Sequence, residues 1–251
     1  MKYYIEEQAW EVILSFFKER NGIHNKNEEK MRHFIEAIWF IVRTGCQWRL
    51  LPDDYGCWYS IYRRFKRWVD KGIWEDLMDY VKVDADMESI MIDATIVRAH
   101  ACSSGYIPKG NQEEAALGRS RGGFSTKIHA LVDALGNPLK FILTAGQRND
   151  ITQAGNLTQD VQNTTVIADK GYDSSAFVES LENKGCEIVI PPKSNRKVQR
   201  EYDKHTYKER YLIECLFGKI KHFRRIFSRF DKAPATFLAF LNFVGTLIWL
   251  R

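Results

Sequence analysis

Apolar residues recur at helical spacing as far as about residue 82, and beyond residue 88 they fall into short runs that read as strands. Such a chain must bury helical stripes against one another and then lay further helices on a sheet. Trp10, Ile13, Leu14 and Phe17 mark one amphipathic helix; Met31, Phe34, Ile35, Ile38 and Val42 mark a second. Pro52 and Gly56 punctuate a loop before a third helix, with Trp58, Ile61, Tyr62, Phe65, Trp68 and Val69 on one side. Arg63, Arg64, Lys66, Arg67 and Lys71 take its other side. A compact helical module ending in a basic helix is what a helix-turn-helix DNA reader needs. A basic face that is merely solvated gives the same pattern.

The acidic stretch 83–88 reads as a linker, so the spacing predicts a helical module over 1–82 and an α/β domain over 89–251. SIMIDAT (89–95) is a buried strand, and 124–133 with 138–144 form a hairpin around Gly136 and Asn137. A helix follows, with Asp150 as its N-cap candidate, then the strand TTVIAD (164–169). Asp173 or Ser174 caps a helix that Gly185 stops, and EIVI (187–190) is the last strand. Thr236–Leu250, too short to span a bilayer, reads as a packed terminal helix.

Charge is unevenly spread. Residues 193–232 hold 13 Lys/Arg against 5 Asp/Glu, a local balance of +8 in a chain whose net charge is +5. A localised basic segment interleaved with apolar residues is the footprint of a polyanion binder. The five scattered cysteines form no CxxC or Cys/His cluster, which supports neither a zinc site nor a disulfide framework. They read as buried thiols in a reducing cytosol. The opening MKYYIEEQAW lacks the apolar core of a signal peptide, so a cytoplasmic location is expected.

The segment 207–221, YKERYLIECLFGKIK, carries the sharpest chemical signal. At about 100° per residue, Tyr207, Arg210, Glu214 and Lys221 fall within an arc of roughly 60°. Leu212, Leu216, Ile220 and Phe223 point to the core. A carboxylate flanked by fixed cations suits a site that binds metal and phosphate together; a solvated face with ordinary ion pairs is the alternative. Two more acids, Asp93 and Asp169, stand at the carboxyl ends of predicted strands, the edge where ligands collect in α/β sheets. Each could instead cap the next turn. Three such carboxylates suit two Mg²⁺ ions, spaced about 4 Å apart in phosphoryl transfer. No Walker loop, GxSxG or His pair at metal spacing competes; His100, His129 and His222 are isolated, as phosphate contacts or surface residues. Arg119 and Arg121, beside Gly122 and Gly123, and Lys170, beside Asp169, are further candidates for holding phosphates.

These motifs together resemble the DDE transposases of the IS5 family of insertion sequences, within the broader IS4-like superfamily. The spacing Tyr207, Arg210, Glu214, Lys221 matches the family's Y-R-E-K signature, and DATIVRAH, ADKGYDS and GRSRGGFSTKIHALVDALGNPL match the segments around and between the first two acids. GCQWRLLPDDYGCWYSIYRRFKRWVDKGIWE is similar to the family's N-terminal module. The resemblance implies an RNase H-like core with Asp93, Asp169 and Glu214 as a triad binding two Mg²⁺ or Mn²⁺ ions. It also implies double-stranded DNA as partner, cleavage at element ends, 3′-hydroxyl joining to target DNA, and a homo-oligomer when two ends are paired. Tyr207, Arg210 and Lys221 would contact DNA beside the site; Arg63, Arg64 and Arg67, from the basic face of the third helix, are the candidate contacts to the element ends. Only 45 positions separate Asp169 from Glu214, which leaves no room for the β-rich insertion of some relatives. A nuclease or resolvase that joins no strands, and a non-catalytic regulator derived from a transposase, are the rival readings.

Overall fold

A computed structural model describes residues 3–23, 27–104, 114–120, 122–197 and 199–251. Four helices come first: α1 (Glu7–Glu19), α2 (Glu28–Thr44), α3 (Trp58–Asp70) and α4 (Ile73–Tyr80). The strands are β1 (Ser89–Ala99), β2 (Gly118–Ser120), β3 (Gly123–Val132), β4 (Pro138–Ala145), β5 (Thr165–Ala168), β6 (Glu187–Val189) and β7 (Ser228–Arg229). Between and after them lie α5 (Ala101–Ser104), α6 (Ala154–Leu157), α7 (Ser175–Glu182), α8 (Tyr211–Lys221), α9 (Arg224–Phe227) and α10 (Pro234–Trp249).

Local chemistry sets several of these boundaries. The Asn27 side chain accepts the Lys30 N–H at 2.9 Å to cap α2, and Gly45 ends that helix in the left-handed region. The β3–β4 turn passes through Gly136 at φ 80°, while Asp133 accepts the N–H groups of Leu135 and Asn137. Helix α4 was not separated from α3 by periodicity, although Gly72 at φ 67° divides them. Asp150 pairs with Lys127 at 2.6 Å rather than capping. Of Asp173 and Ser174, Ser174 is the N-cap residue of α7, without a side-chain bond, and the Asp173 carboxylate takes Arg196 and Arg200. The helix after β4 is correspondingly a short 3-10 turn running into α6.

The sheet runs β4-β3-β1-β5-β6, with β3 antiparallel to β1 and β4, and β1, β5 and β6 parallel. This mixed sheet with flanking helices is the expected RNase H-like core. Strand alternation divides its faces. Ile90, Ile92, Val166 and Ala168 pack with Leu157, Phe177 and Leu181 from α6 and α7. Met91, Ile128, Ala130 and Ile167 face the other way, into the larger core with α8 and α10.

That larger core also contains the N-terminal helices. Helix α10 lies between the sheet and the helical module, with Phe240 stacked on Phe65 at 4.5 Å and Phe243 edge-on to Trp74 at 5.4 Å. The expected linker at 83–88 therefore marks a change of secondary structure and not a break in packing. It is tied down too: Asp86 O accepts the Ala134 N–H, and Met87 O accepts the Thr164 hydroxyl. No helix among the described residues is long and apolar enough to cross a membrane. Only Cys186 of the five cysteines is buried; Cys57, Cys102 and Cys215 are exposed, contrary to the expectation of buried thiols.

His129 is a core residue and not a surface one. It is fully buried on β3, with Nε2 2.8 Å from the Thr144 hydroxyl. Burial pushes its pKa down to about 4, with Asp150 opposing and Lys127 assisting. Unfolded, it titrates near 6.5, so between these values the unfolded chain holds the extra proton. Stability should fall as pH drops from about 6.5 toward 4, by up to about 3 kcal/mol. Thermal melts at pH 7 and pH 5 check this: a His129→Gln variant should lose less on acidification than the wild type.

Candidate active site

Strand alternation puts Asp93 and Thr95 of β1 on the face covered by α8. Asp169 follows the last residue of β5 on the same face, one step past the paired residues Ile92 and Ala168. The two acids thus stand side by side on neighbouring parallel strands. Asp169 Oδ1 accepts the Gly171 N–H at 2.8 Å. A Cβ at position 171 would lie 2.8 Å from that oxygen, so the glycine is what permits the approach.

Glu214 arrives from the first turn of α8 and is exposed. Arg210, on the turn before, joins it to the strands: one guanidinium nitrogen donates to Asp93 Oδ2 at 2.8 Å and another to Glu214 Oε1. Burial opposes the charge on Arg210, but Asp93 and Glu214 outweigh it and hold its pKa above the ordinary value. The Asp93 pKa stands at about 6: burial raises it most, the Ala94 N–H and Arg210 oppose, and Asp169 and Asp150 add to the rise. An acid so placed gains strongly from any cation that reaches it. Lys221, at the far end of α8, donates from Nζ to the Thr95 hydroxyl at 2.6 Å, and burial lowers its pKa.

The segment 206–210 is a 3-10 turn and not part of a continuous α-helix. In such a turn residues three apart eclipse, which keeps Tyr207 on the side of Arg210. Tyr207 is half-buried, edge-on to Tyr202 at 5.5 Å, with the Arg210 guanidinium 6.0 Å from its ring centre. The core stripe of α8 is correspondingly Ile213, Leu216, Phe217 and Ile220, with Leu212 only half-buried.

Two contributions were missed in the sequence. Asp173 is fully buried at its carboxylate, where Arg196 Nε (2.5 Å), Arg200 (3.1 Å) and the Lys193 N–H (2.8 Å) converge. Burial alone would raise its pKa, but Arg196, the Lys193 N–H and Arg200 together hold it below the ordinary value. This cluster ties the segment leading into α8 to the end of β5. The sequence signal was the Arg196/Arg200 spacing, which basic composition concealed. Asp150, held by Lys127, supplies a fourth negative charge near Asp93.

The other candidates separate. Arg119 is exposed on β2, Lys170 is exposed in the turn after Asp169, and Arg121 lies outside the described residues. Arg63 and Arg67 are exposed on α3. Arg64 is a correction to the basic face: its guanidinium lies 4.3 Å from the Phe34 ring centre and 5.0 Å from that of Trp68, between α2 and α3. Burial lowers its pKa to about 10, with Arg67 adding to the effect. Arg64→Ala should cost about 1–2 kcal/mol through lost stacking and stem packing. Arg63→Ala should cost under about 0.5 kcal/mol, as an exposed substitution. Paired thermal melts of the two variants check this.

Among the described residues no three His, Cys, Asp or Glu side chains stand as a cluster ready to hold a metal ion. The donor set nonetheless fits hard cations in kind, since Asp93, Asp169 and Glu214 offer only carboxylate oxygen. The arrangement differs from the expected one in that Arg210 supplies the positive charge between Asp93 and Glu214.

A family model described as "Transposase DDE domain" matches residues 84–244, and one described as "Putative transposase of IS4/5 family" matches residues 5–78. A Brucella ovis protein named "Putative transposase for insertion sequence element IS6501" is 38% identical over 131 residues, 51% of this chain and 99% of that protein. A Burkholderia cepacia protein named for transposition of IS402 is 32% identical over 135 residues, 49% of this chain and 62% of that protein. Among solved structures, a piggyBac transposase synaptic complex with hairpin DNA aligns at a TM-score of 0.41 and 14% identity, over 78% of this chain. The chain spans about half the length of that piggyBac protein. The Mos1 strand transfer complex aligns at a TM-score of 0.28 and 13% identity, covering 76% of this chain and 72% of that one. The chain belongs to the transposase DDE domain family, as an insertion-sequence transposase of the IS4/5 group.

Proposed function

We propose that this protein binds the ends of an insertion sequence, cleaves DNA strands there and joins the freed 3′-hydroxyls to target DNA. The observation that carries the reading is the convergence at Arg210, which reaches Asp93 across 117 positions of sequence and holds Glu214 beside it. Asp169 stands on the adjoining strand. Asp93, Asp169 and Glu214 would hold Mg²⁺ or Mn²⁺, two ions in all. Such ions lower the pKa of an attacking oxygen and stabilise the leaving one.

The chain's own residues do the rest. Burial makes a bare carboxylate at Asp93 costly, so the site takes up cations. Arg210, once turned from the acids, is within reach of a backbone phosphate, and Lys221 holds a second charge two residues further along β1. Tyr207 backs the Arg210 guanidinium. Arg63 and Arg67 on α3 take up phosphates or base edges of the element end, with Arg119 and Lys170 as further phosphate contacts. Two copies of the chain pair two ends, on chromosomal DNA in a bacterial cytoplasm.

The test is incubation of the purified chain with duplex DNA carrying the inverted repeats that flank its gene, with Mg²⁺, resolved on denaturing gels. Cleaved ends and joined products are expected. Cleavage without joined products would make the protein a nuclease, and binding without cleavage a regulator.

A further inference from the structure

A groove beside α3 has a chemistry that duplex DNA does not use. It lies between α3 and the segment 230–236, with a volume of about 460 Å³. Trp48, Trp58, Tyr62 and Phe230 line it, all of them half-buried. Trp48 and Tyr62 meet edge-on at 5.2 Å, which fixes both rings. The cations are Arg49, Lys66 and Lys232. Arg49 stands 5.7 Å from the Trp58 ring centre, and Lys66 gives one of its three donors to the Thr236 hydroxyl at 3.2 Å. The acid in the lining, Asp231, is buried and neutralised by two bonds from Arg225. A second hollow of about 630 Å³, with Arg63 and Arg67, shares Tyr62 and Lys66 with the groove. Three cations, Arg63, Lys66 and Arg67, with Asp70 as the one acid among them, thus lead along α3 into the aromatic groove.

Aromatic faces with a cationic rim recognise a flat π-system carrying an anion. The volume falls within the range of about 300–1,000 Å³ typical of small-ligand sites. In a duplex the base faces are stacked and out of reach, so rings gain nothing there that cations alone would not. We infer that the groove between α3 and residues 230–236 binds an unpaired DNA nucleotide, the base among Trp58, Tyr62 and Phe230 and the phosphate toward Arg49, Lys66 and Lys232. The inference rests on the transposase reading, because that supplies DNA at the α3 surface.

Its place is beyond the end of β1, away from the acids. Phe230 lies 5.0 Å, ring to ring, from His100, just beyond the end of β1, while Asp93 sits near the middle of that strand. At about 3.3 Å per residue the seven positions from Asp93 to His100 span about 23 Å along β1, or about seven nucleotides of one duplex strand at 3.4 Å each. The site would hold DNA that has opened at a distance from the cut.

Fluorescence anisotropy with the full chain tests this, using a labelled 12-nucleotide thymidine strand and a duplex of equal length. Trp58→Leu should weaken single-strand binding about tenfold, the loss of one stacked base, and duplex binding less than twofold. Arg49→Ala, an exposed change, should weaken single-strand binding several-fold and keeps the test open if the Trp58 variant melts early. Equal losses on both probes would reduce the groove to a phosphate contact, and no loss in either variant would overturn the site. Failure of the transposase reading shows elsewhere, in absent cleavage of element ends by the wild type.

Discussion

Asp93→Asn, Asp169→Asn and Glu214→Gln should each lower end cleavage by at least about a thousandfold while leaving end binding within about threefold. Charge stabilisation at a metal-held phosphoryl group is worth several kcal/mol, and each 1.36 kcal/mol is tenfold in rate. On the proposed reading, end binding draws instead on cations away from the acids, Arg63 and Arg67 on α3. Asp93 is the sharpest of the three tests, because its exchange to Asn removes a charge that burial already disfavours. The protein should therefore melt no lower than wild type by more than a few degrees. Gel-shift titration beside denaturing-gel cleavage reads both quantities. Cleavage near the wild-type rate in any one variant would remove that residue from the proposed triad.

Arg210→Ala and Lys221→Ala should each lower cleavage or joining by about a hundredfold, with Lys219→Ala as the control. Lys219 is exposed on the same helix. Were the face only a set of surface ion pairs, each would be worth about 0–1 kcal/mol and all three variants would behave alike. A cation that positions a phosphate acts on the rate instead, at about 2.7 kcal/mol for a hundredfold. Arg210 touches two acids and Lys221 touches Thr95, so Arg210→Ala should shift the melting temperature more than Lys221→Ala does. Activity and melting temperature measured together separate the two causes. Loss of activity in proportion to loss of stability would show a structural face.

How much of this was legible depends on the range of the contacts involved. The switch from helical to strand periodicity, the β3–β4 hairpin, the strands ending near Asp93 and Asp169, and the apolar α10 could all be read locally. Spacing of 3.6 or 2 residues reports burial within one element. The family motifs added the order of the three acids.

Contacts between distant segments were beyond that reach. Arg63 and Arg64 are neighbours in a basic run, yet one is exposed and the other is stacked between α2 and α3, which is decided by where α2 lies. Asp173 looked like a helix cap until Arg196 and Arg200 folded back onto it. The break at 83–88 looked like a domain boundary, but α10, from the other end of the chain, fills the space between module and sheet with Phe240 and Phe243. Local periodicity and turn chemistry set the main elements and their order, but not the 3-10 turn at 206–210 or the inward turn of Arg64. Which charges meet, the place of Arg210 between Asp93 and Glu214, and the one core shared by helices and sheet came from the three-dimensional packing. Those outcomes depend on packing between separate elements, from 23 positions apart for Asp173 and Arg196 to 117 for Asp93 and Arg210, which no local pattern records.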